Sequence, residues 1–251
     1  MNNKELKDLL DSKYKQYNTK EFIDSDPIQI PHKFNKKEDI EITAFLASTI
    51  AWGQRKTIIN NSNRLIKWMD YDPYNFIINA KEKDYKRFYE FKHRTFNGED
   101  CVFFLKSLQN IYINYKGLEN IFSNNESIKE GIINARKIFF SIDFPKTSSR
   151  QFSNIEKNSA AKRLNMFLRW MVRKDEFGVD FGIWDRIKTS ELYLPLDVHS
   201  SRVGRKLGLL NRKQNDWKSV EEITSNLKKL DINDPIKYDF ALFGLGVFEN
   251  Y

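Results

Sequence analysis

A chain of 251 residues can form one sizeable domain, or two lobes sharing a core. Its hydrophobic content of 40% supports a packed interior, yet no stretch of about 18 apolar residues offers a membrane span, and Met1-Asn-Asn-Lys-Glu-Leu-Lys7 has no apolar run of the kind a signal peptide needs. The lone Cys101 excludes internal disulfides and any four-cysteine metal or iron–sulfur site, and a formal net charge of +8 points to an anionic partner.

Residues 2–17 read as an amphipathic helix, with Leu6, Leu9, Leu10, Lys13 and Tyr17 on one side. From Asp24 to His32 the chain is turn-rich, because Pro27 and Pro31 forbid regular helix. His32, His93 and His199 form no metal-ligand spacing, so no metal is expected. Helical periodicity resumes at Glu38 with Ile42, Phe45, Leu46, Thr49 and Ile50, and Gly53 bends or ends that helix. A second helix begins near Lys56. The corner at Gln54 and Arg55 suits contact with a phosphate or base edge, and equally suits plain solvation.

Asp72-Pro73 opens another helix, with proline at its first position. Residues 81–98 read as an amphipathic surface helix and loop, whose mixture of arginine and aromatic rings could also stack bases. Glu99 to Tyr115 is a strong helix and Ser127 to Ile142 a weaker one. Pro145 to Asn158 reads as a loop.

The stretch Ser159 to Arg173 carries an apolar stripe of Leu164, Phe167, Leu168 and Met171. Lys162, Asn165, Arg169 and Arg173 fall on the rest of the circumference, which predicts a basic face. A short helix is expected over Val179 to Ile187, then a connector to Leu194. Asp197 has the position of an N-cap, with Val198, Arg202 and Leu207 in the helix it starts and Gly208 as its stop. Residues 151–212 hold twelve Lys/Arg against seven Asp/Glu, a net of +5, so the positive charge is concentrated here. A capped helix over Asn215 to Leu227 follows. Asp234-Pro235 opens the last one, with Tyr238, Ala241, Leu242 and Leu245 inward. Strand alternation is missing throughout, and the fold class is all-α.

Leu196-Asp-Val-His199, followed by Arg202-Val203 and Leu207-Gly-Leu209, resembles the signature of the helix–hairpin–helix DNA glycosylase superfamily, which includes endonuclease III and the 8-oxoguanine glycosylases. Phe240-Ala-Leu-Phe-Gly-Leu-Gly246 is similar to that superfamily's closing helix, and Ala44 to Gln54 to the first helix of its barrel. A closer resemblance is to an uncharacterised bacterial family within it, which shares Ser-x-x-Lys-Arg-Leu-Asn, Leu-Asp-Val-His and Lys-Tyr-Asp-Phe-Ala-Leu-Phe-Gly. The resemblance covers roughly residues 40–250. Two features depart from it. Lys157-Asn-Ser-Ala-Ala-Lys162 stands where the superfamily has a glycine-rich hairpin, and Lys162 lies 35 residues before Asp197, a wide spacing similar to that of the archaeal 8-oxoguanine glycosylases. The cysteine cluster of endonuclease III is missing, so no iron–sulfur cluster or other cofactor is implied.

The resemblance implies a single glycosylase-like domain over residues 1–251, with two helical lobes and DNA in the cleft between them. One lobe would run over about 36–175, with the barrel and the divergent hairpin helix, and the other would combine about 1–35 with 190–251. It implies a monomeric enzyme of base-excision repair, cytoplasmic and nucleoid-associated, acting on double-stranded DNA with a base lesion. Asp197 matches the catalytic aspartate and Lys162 the lysine that forms a Schiff base and gives AP-lyase activity. Ser159, Arg163, His199, Arg202, Arg205, Gln54 and Arg55 would contact DNA, and Trp52 would line the base pocket.

The chemistry suits these residue types. A carboxylate near C1′ stabilises the cation that develops as the base leaves, and an unprotonated amine can attack the same carbon. Such a lysine needs a depressed pKa, for which Arg163 and Arg169 are candidate causes. Read from spacing alone, Asp197 is a plain helix cap and Lys162 a solvated lysine. A non-catalytic DNA- or RNA-binding protein and an RNA base-modifying enzyme are the alternatives.

Overall fold

The computed structural model describes residues 2–251. Helix α1 (Asn3–Tyr17) opens with a capping box between Asn2 and Glu5 and buries Leu6, Leu10 and Tyr14. It is followed by α2 (Lys20–Ser25), and the two prolines then hold the chain in 3-10 turns over 27–29 and 31–33. Next come α3 (Lys37–Thr49), α4 (Arg55–Trp68), α5 (Pro73–Asn79), α6 (Gly98–Asn114), α7 (Leu118–Ser123) and α8 (Ile128–Phe139). The chain ends with α9 (Lys162–Val172), α10 (Val198–Lys206), α11 (Trp217–Lys228) and α12 (Tyr238–Val247). No strand forms among the described residues, apart from the isolated bridges His93–Phe96 and Ser159–Asp216. The protein is all-α. None of its described helices is long and apolar enough to cross a membrane.

Two compact units divide the chain: residues 25–153, and residues 1–24 together with 154–251. The first is built on α3, which is buried on nearly all sides, and on a cluster of rings from Phe45, Phe103, Phe104, Phe139 and Phe152. Backbones approach closely at two glycines in this unit. A Cβ on Gly98 would lie 1.9 Å from the Tyr89 carbonyl oxygen, and one on Gly131 would lie 2.1 Å from that of Phe122. Residues 82–90 wind as a 3-10 run where a surface helix is expected from sequence, and its Tyr85 and Phe88 are buried. His93 is a satisfied core side chain: Asn61 donates to its Nδ1 at 2.9 Å and its Nε2 donates to the Trp52 carbonyl at 3.0 Å.

In the second unit α12 packs against α1 and α10. Two predictions from sequence are corrected here. Val179 to Ile187 is not helical: Gly178 and Gly182 take positive φ, and the N–H groups of Phe181, Ile183 and Trp184 instead donate to the carbonyls of Trp170 and Met171 at the end of α9. The polar stripe of α9 is not a solvated basic face either, for Asn165, Arg169 and Arg173 are buried. Arg169 bridges Asp180 and Asp239, and Arg173 pairs with Asp175, Asp180 and Asp234 while donating to Tyr14 Oη at 2.8 Å. Buried guanidinium groups require such partners. The network ties α9 to α1, α12 and the 174–187 segment, so the hairpin helix belongs to this unit. The boundaries thus fall at 24/25 and 153/154, where the expected lobes were 36–175 and 1–35 with 190–251.

Candidate active site

The site begins with a turn. Asn154 Oδ1 accepts from the N–H groups of Glu156 and Lys157, and Ser159 N–H closes back on the Asn154 carbonyl at 3.1 Å. Asn158 and Ala161 both take left-handed backbone, at φ 62 and φ 49. These are conformations that glycine would adopt without strain, at a cost of roughly 1–2 kcal/mol for a residue with a Cβ. The tight shape is therefore reached without the glycines. Asn158 Nδ2 donates to Asp216 Oδ2 at 2.9 Å, which fastens the turn to the cap of α11. Ser159 Oγ accepts from Ala161 N–H at 3.3 Å. The next residue, Lys162, is the first of α9, and no side-chain cap closes this helix start.

The facing element is the start of α10. Asp197 Oδ1 accepts from the N–H groups of His199 and Ser200, both at 2.9 Å, and Ser200 Oγ accepts from Asp197 N–H at 2.8 Å. The cap reading of Asp197 is correct in this respect. Its other oxygen has a different partner: Lys162 Nζ lies 3.4 Å from Asp197 Oδ2. Burial works to raise the Asp197 carboxyl, but the Lys162 charge and the Ser200 hydrogen bonds outweigh it and hold the group below its ordinary value. The lysine is 36% exposed and the aspartate 17%, so the pair stands at the open end of the α9 stripe.

A third charged group was missed in the sequence. Asp239, on the first turn of α12, is buried and paired with Arg169. Burial pushes its carboxyl up to about 6; Arg169 and Lys162 oppose that, and the Asp197 charge adds to it. Asp239 therefore lies in the electrostatic field of both members of the pair. Its signal was the Lys237-Tyr-Asp-Phe240 string, whose aspartate carried no assigned role.

The other candidates separate. Arg163 is half-buried beside Lys162, and burial pushes its guanidinium down to about 10, still charged at neutral pH. His199 packs against Gly246, where a Cβ would come within 3.0 Å of it, and its Nδ1 is buried with no protein partner. Arg202 donates to the Gly246 carbonyl at 2.7 Å. Arg205 is committed to the loop that follows, with bonds to the carbonyls of Arg212, Lys213 and Gln214 and to Asn215 Oδ1. Trp52, Gln54 and Arg55 belong to the 25–153 unit. There Gln54 is exposed, Arg55 is half-buried, and the Trp52 ring meets His93 edge-on at 5.1 Å between centroids. No group of three or more His, Cys, Asp or Glu side chains among the described residues is placed to hold a metal ion.

The fold and this geometry define an all-helical protein in which a lysine at one helix start meets an aspartate at another. The model of a protein family of unknown function (DUF2400) matches residues 26–248, and the chain belongs to that family. Neither curated proteins nor solved structures include a match to it.

Proposed function

We propose that the protein is a DNA glycosylase that removes a damaged base, with Lys162 as the nucleophile at C1′ and Asp197 as the counter-charge. The observation that carries this reading is the approach of Lys162 Nζ to 3.4 Å from Asp197 Oδ2, with the aspartate's other oxygen engaged by its helix. An amine and a carboxylate held together, half-open to solvent, can address one carbon atom. As the C1′–N bond breaks, its electron pair leaves with the base and the sugar becomes cation-like. The fixed carboxylate stabilises that charge; Lys162 gives a proton to the departing base and closes on C1′ as an amine, and the C1′–O4′ bond then opens as a proton passes from that nitrogen to O4′, leaving a Schiff base. The cap holds Asp197 rigid, which keeps the charge in place without reorganisation. Four further features support an anionic polymer as substrate: the net charge of +8, the uncapped start of α9, the half-buried Arg163 and the exposed Lys157 next to the turn. The resemblance in Leu196-Asp-Val-His199 fits the same assignment.

The test is a panel of labelled duplexes, each with a different lesion, treated with borohydride to trap a covalent adduct. Wild-type protein is expected to form an adduct on its cognate lesion, and Lys162→Gln to form none. Base release without trapping would transfer the attack to a water molecule activated by Asp197. No base release from any member would favour a protein that only binds nucleic acid.

A further inference from the structure

Arg205, on the last turn of α10, grips a segment of its own chain. Its Nε donates to the Arg212 carbonyl at 2.9 Å. Its Nη2 donates to the carbonyls of Lys213 at 2.8 Å and Gln214 at 3.3 Å, and to Asn215 Oδ1 at 2.7 Å. Ser219 Oγ donates to the Gln214 carbonyl as well, and Asn215 Nδ2 to Ser201 Oγ at 2.9 Å. Three successive carbonyls are thus consumed. The N–H groups of Lys213, Gln214 and Asn215 have no partner among the described residues, and all three residues are exposed. A loop with its acceptors used and its donors open offers N–H groups to whatever meets it. Arg205 spends its bonds on neutral oxygens, so its positive charge is not cancelled, and the Lys213 ammonium adds another.

The loop is joined to the turn that precedes α9. Arg212 pairs with Asp216, which accepts from Asn158 Nδ2 at 2.9 Å, and Trp217 N–H donates to the Asn158 carbonyl at 3.2 Å. That turn bears the exposed Lys157. With Arg212 and Asp216 cancelling each other, Lys157, Arg205 and Lys213 stand against one exposed carboxylate, Glu156. Positive charge prevails.

We propose that residues 213–215 form a phosphate-binding loop, shaped by Arg205, that takes the sugar–phosphate backbone of a nucleic acid. Backbone N–H groups and lysine side chains are the donors from which phosphodiester oxygens accept. Lys213 and the three amides make the contact. Arg205 is the positioning residue, because a planar fork of N–H donors can hold several carbonyls at once and a single ammonium cannot. The stitching to the Lys157 turn spreads donors over two segments of sequence, which suits a chain of phosphates better than a lone one. The inference rests on the nucleic-acid part of the function proposed above, and not on base excision.

The experiment follows the backbone amides of the full chain by NMR while a short, lesion-free duplex is added. The signals of Lys213, Gln214 and Asn215 should shift with the duplex and stay in place with inorganic phosphate at equal phosphate concentration. Lys213→Ala should lower the slope of log affinity against log salt by about one, and Lys4→Ala, on the exposed first turn of α1, should leave it unchanged. Arg205→Lys keeps the charge and releases the carbonyls, so it should lose the amide response and bind more weakly. Wild-type binding by Arg205→Lys would show that Arg205 acts through charge alone and overturn its positioning role. If that variant does not fold, the wild-type amides and Lys213→Ala still decide the matter. Duplex binding that leaves the three amides unmoved, or a slope unchanged in Lys213→Ala, overturns the proposal and spares the glycosylase reading. Equal shifts with inorganic phosphate make this a site for the free ion and overturn it too. An absence of duplex binding sinks both readings. Binding through this loop by a protein that excises no base removes the enzyme reading alone.

Discussion

At the scale of single residues, Asp197 does two things with two oxygens. Asparagine caps a helix as well as aspartate, so Asp197→Asn should cost little stability, whereas Asp197→Ala should cost about 1 kcal/mol through the lost cap. Base excision should fall by orders of magnitude in both, because the charge facing Lys162 is gone in both. If thermal unfolding separates the two variants but excision does not, the two roles are confirmed as distinct. Asp239 gives a pH dependence of opposite sign to an ordinary ion-paired carboxylate. Its carboxyl is raised from 3.8 to about 6 in the folded protein, so between those pH values the folded state retains a proton that the unfolded chain has lost. Its contribution to stability is therefore full below pH 4 and lost as pH rises through 6, an effect of about 3 kcal/mol at most. The urea midpoint of the wild type relative to that of Asp239→Asn should accordingly fall between pH 4 and pH 7. A gap that stays constant would show that Asp239 does not titrate in this range.

At the scale of elements, packing between helices depends on a few small or charged residues. Gly244→Ala should destabilise by about 1–3 kcal/mol, since its methyl group would overlap the Tyr17 ring on α1, and Tyr17→Ala should relieve it in the double variant. Arg173 has no exposed surface and serves Asp175, Asp180 and Asp234, so Arg173→Ala should cost about 3–5 kcal/mol by leaving those carboxylates uncompensated. Chemical denaturation checks both. Much of the helix pattern was legible because caps and prolines punctuate it: Asp72-Pro73, Ser127, Asp197 and Asp216 all stand where helices begin. The polar face of α9 was misread because periodicity shows which residues share a side but not what faces them: Asp180 lies beyond the helix end, and Asp234 and Asp239 are 61 and 70 residues from the arginines they meet. The same limit hid Asp239 from the site. The 179–187 segment deceived because Gly178 and Gly182 outweigh its apolar content. Lys162 and Asp197 stood out as a lysine on one helix and a carboxylate at the mouth of the next, but it was the resemblance that gave them a shared role, as no local pattern joins residues 35 apart.

At the scale of the whole molecule, the net charge of +8 should make binding to duplex DNA weaken steeply with salt. Arg163→Ala, close to Lys162, should lower the slope of log affinity against log salt by about one, and Lys157→Ala by a similar amount. Binding insensitive to salt would remove a phosphate backbone from the list of partners.

The pairing of α1 with α12 has a consequence for how the protein is made. A ribosome releases α1 first, then the whole of residues 25–153, and only later the partner on which α1 packs. Closing so long a loop is slow relative to local folding, so the 25–153 unit should gain protease resistance on the nascent chain well before the unit that holds Lys162. Translation halted after residue 230 would yield a chain that contains Lys162 and Asp197 but lacks α12, and with it the Asp239 partner of Arg169 and the helix on which α1 and α10 pack. Such a chain should form no borohydride adduct, and chemical competence would arrive in one step with the emergence of α12.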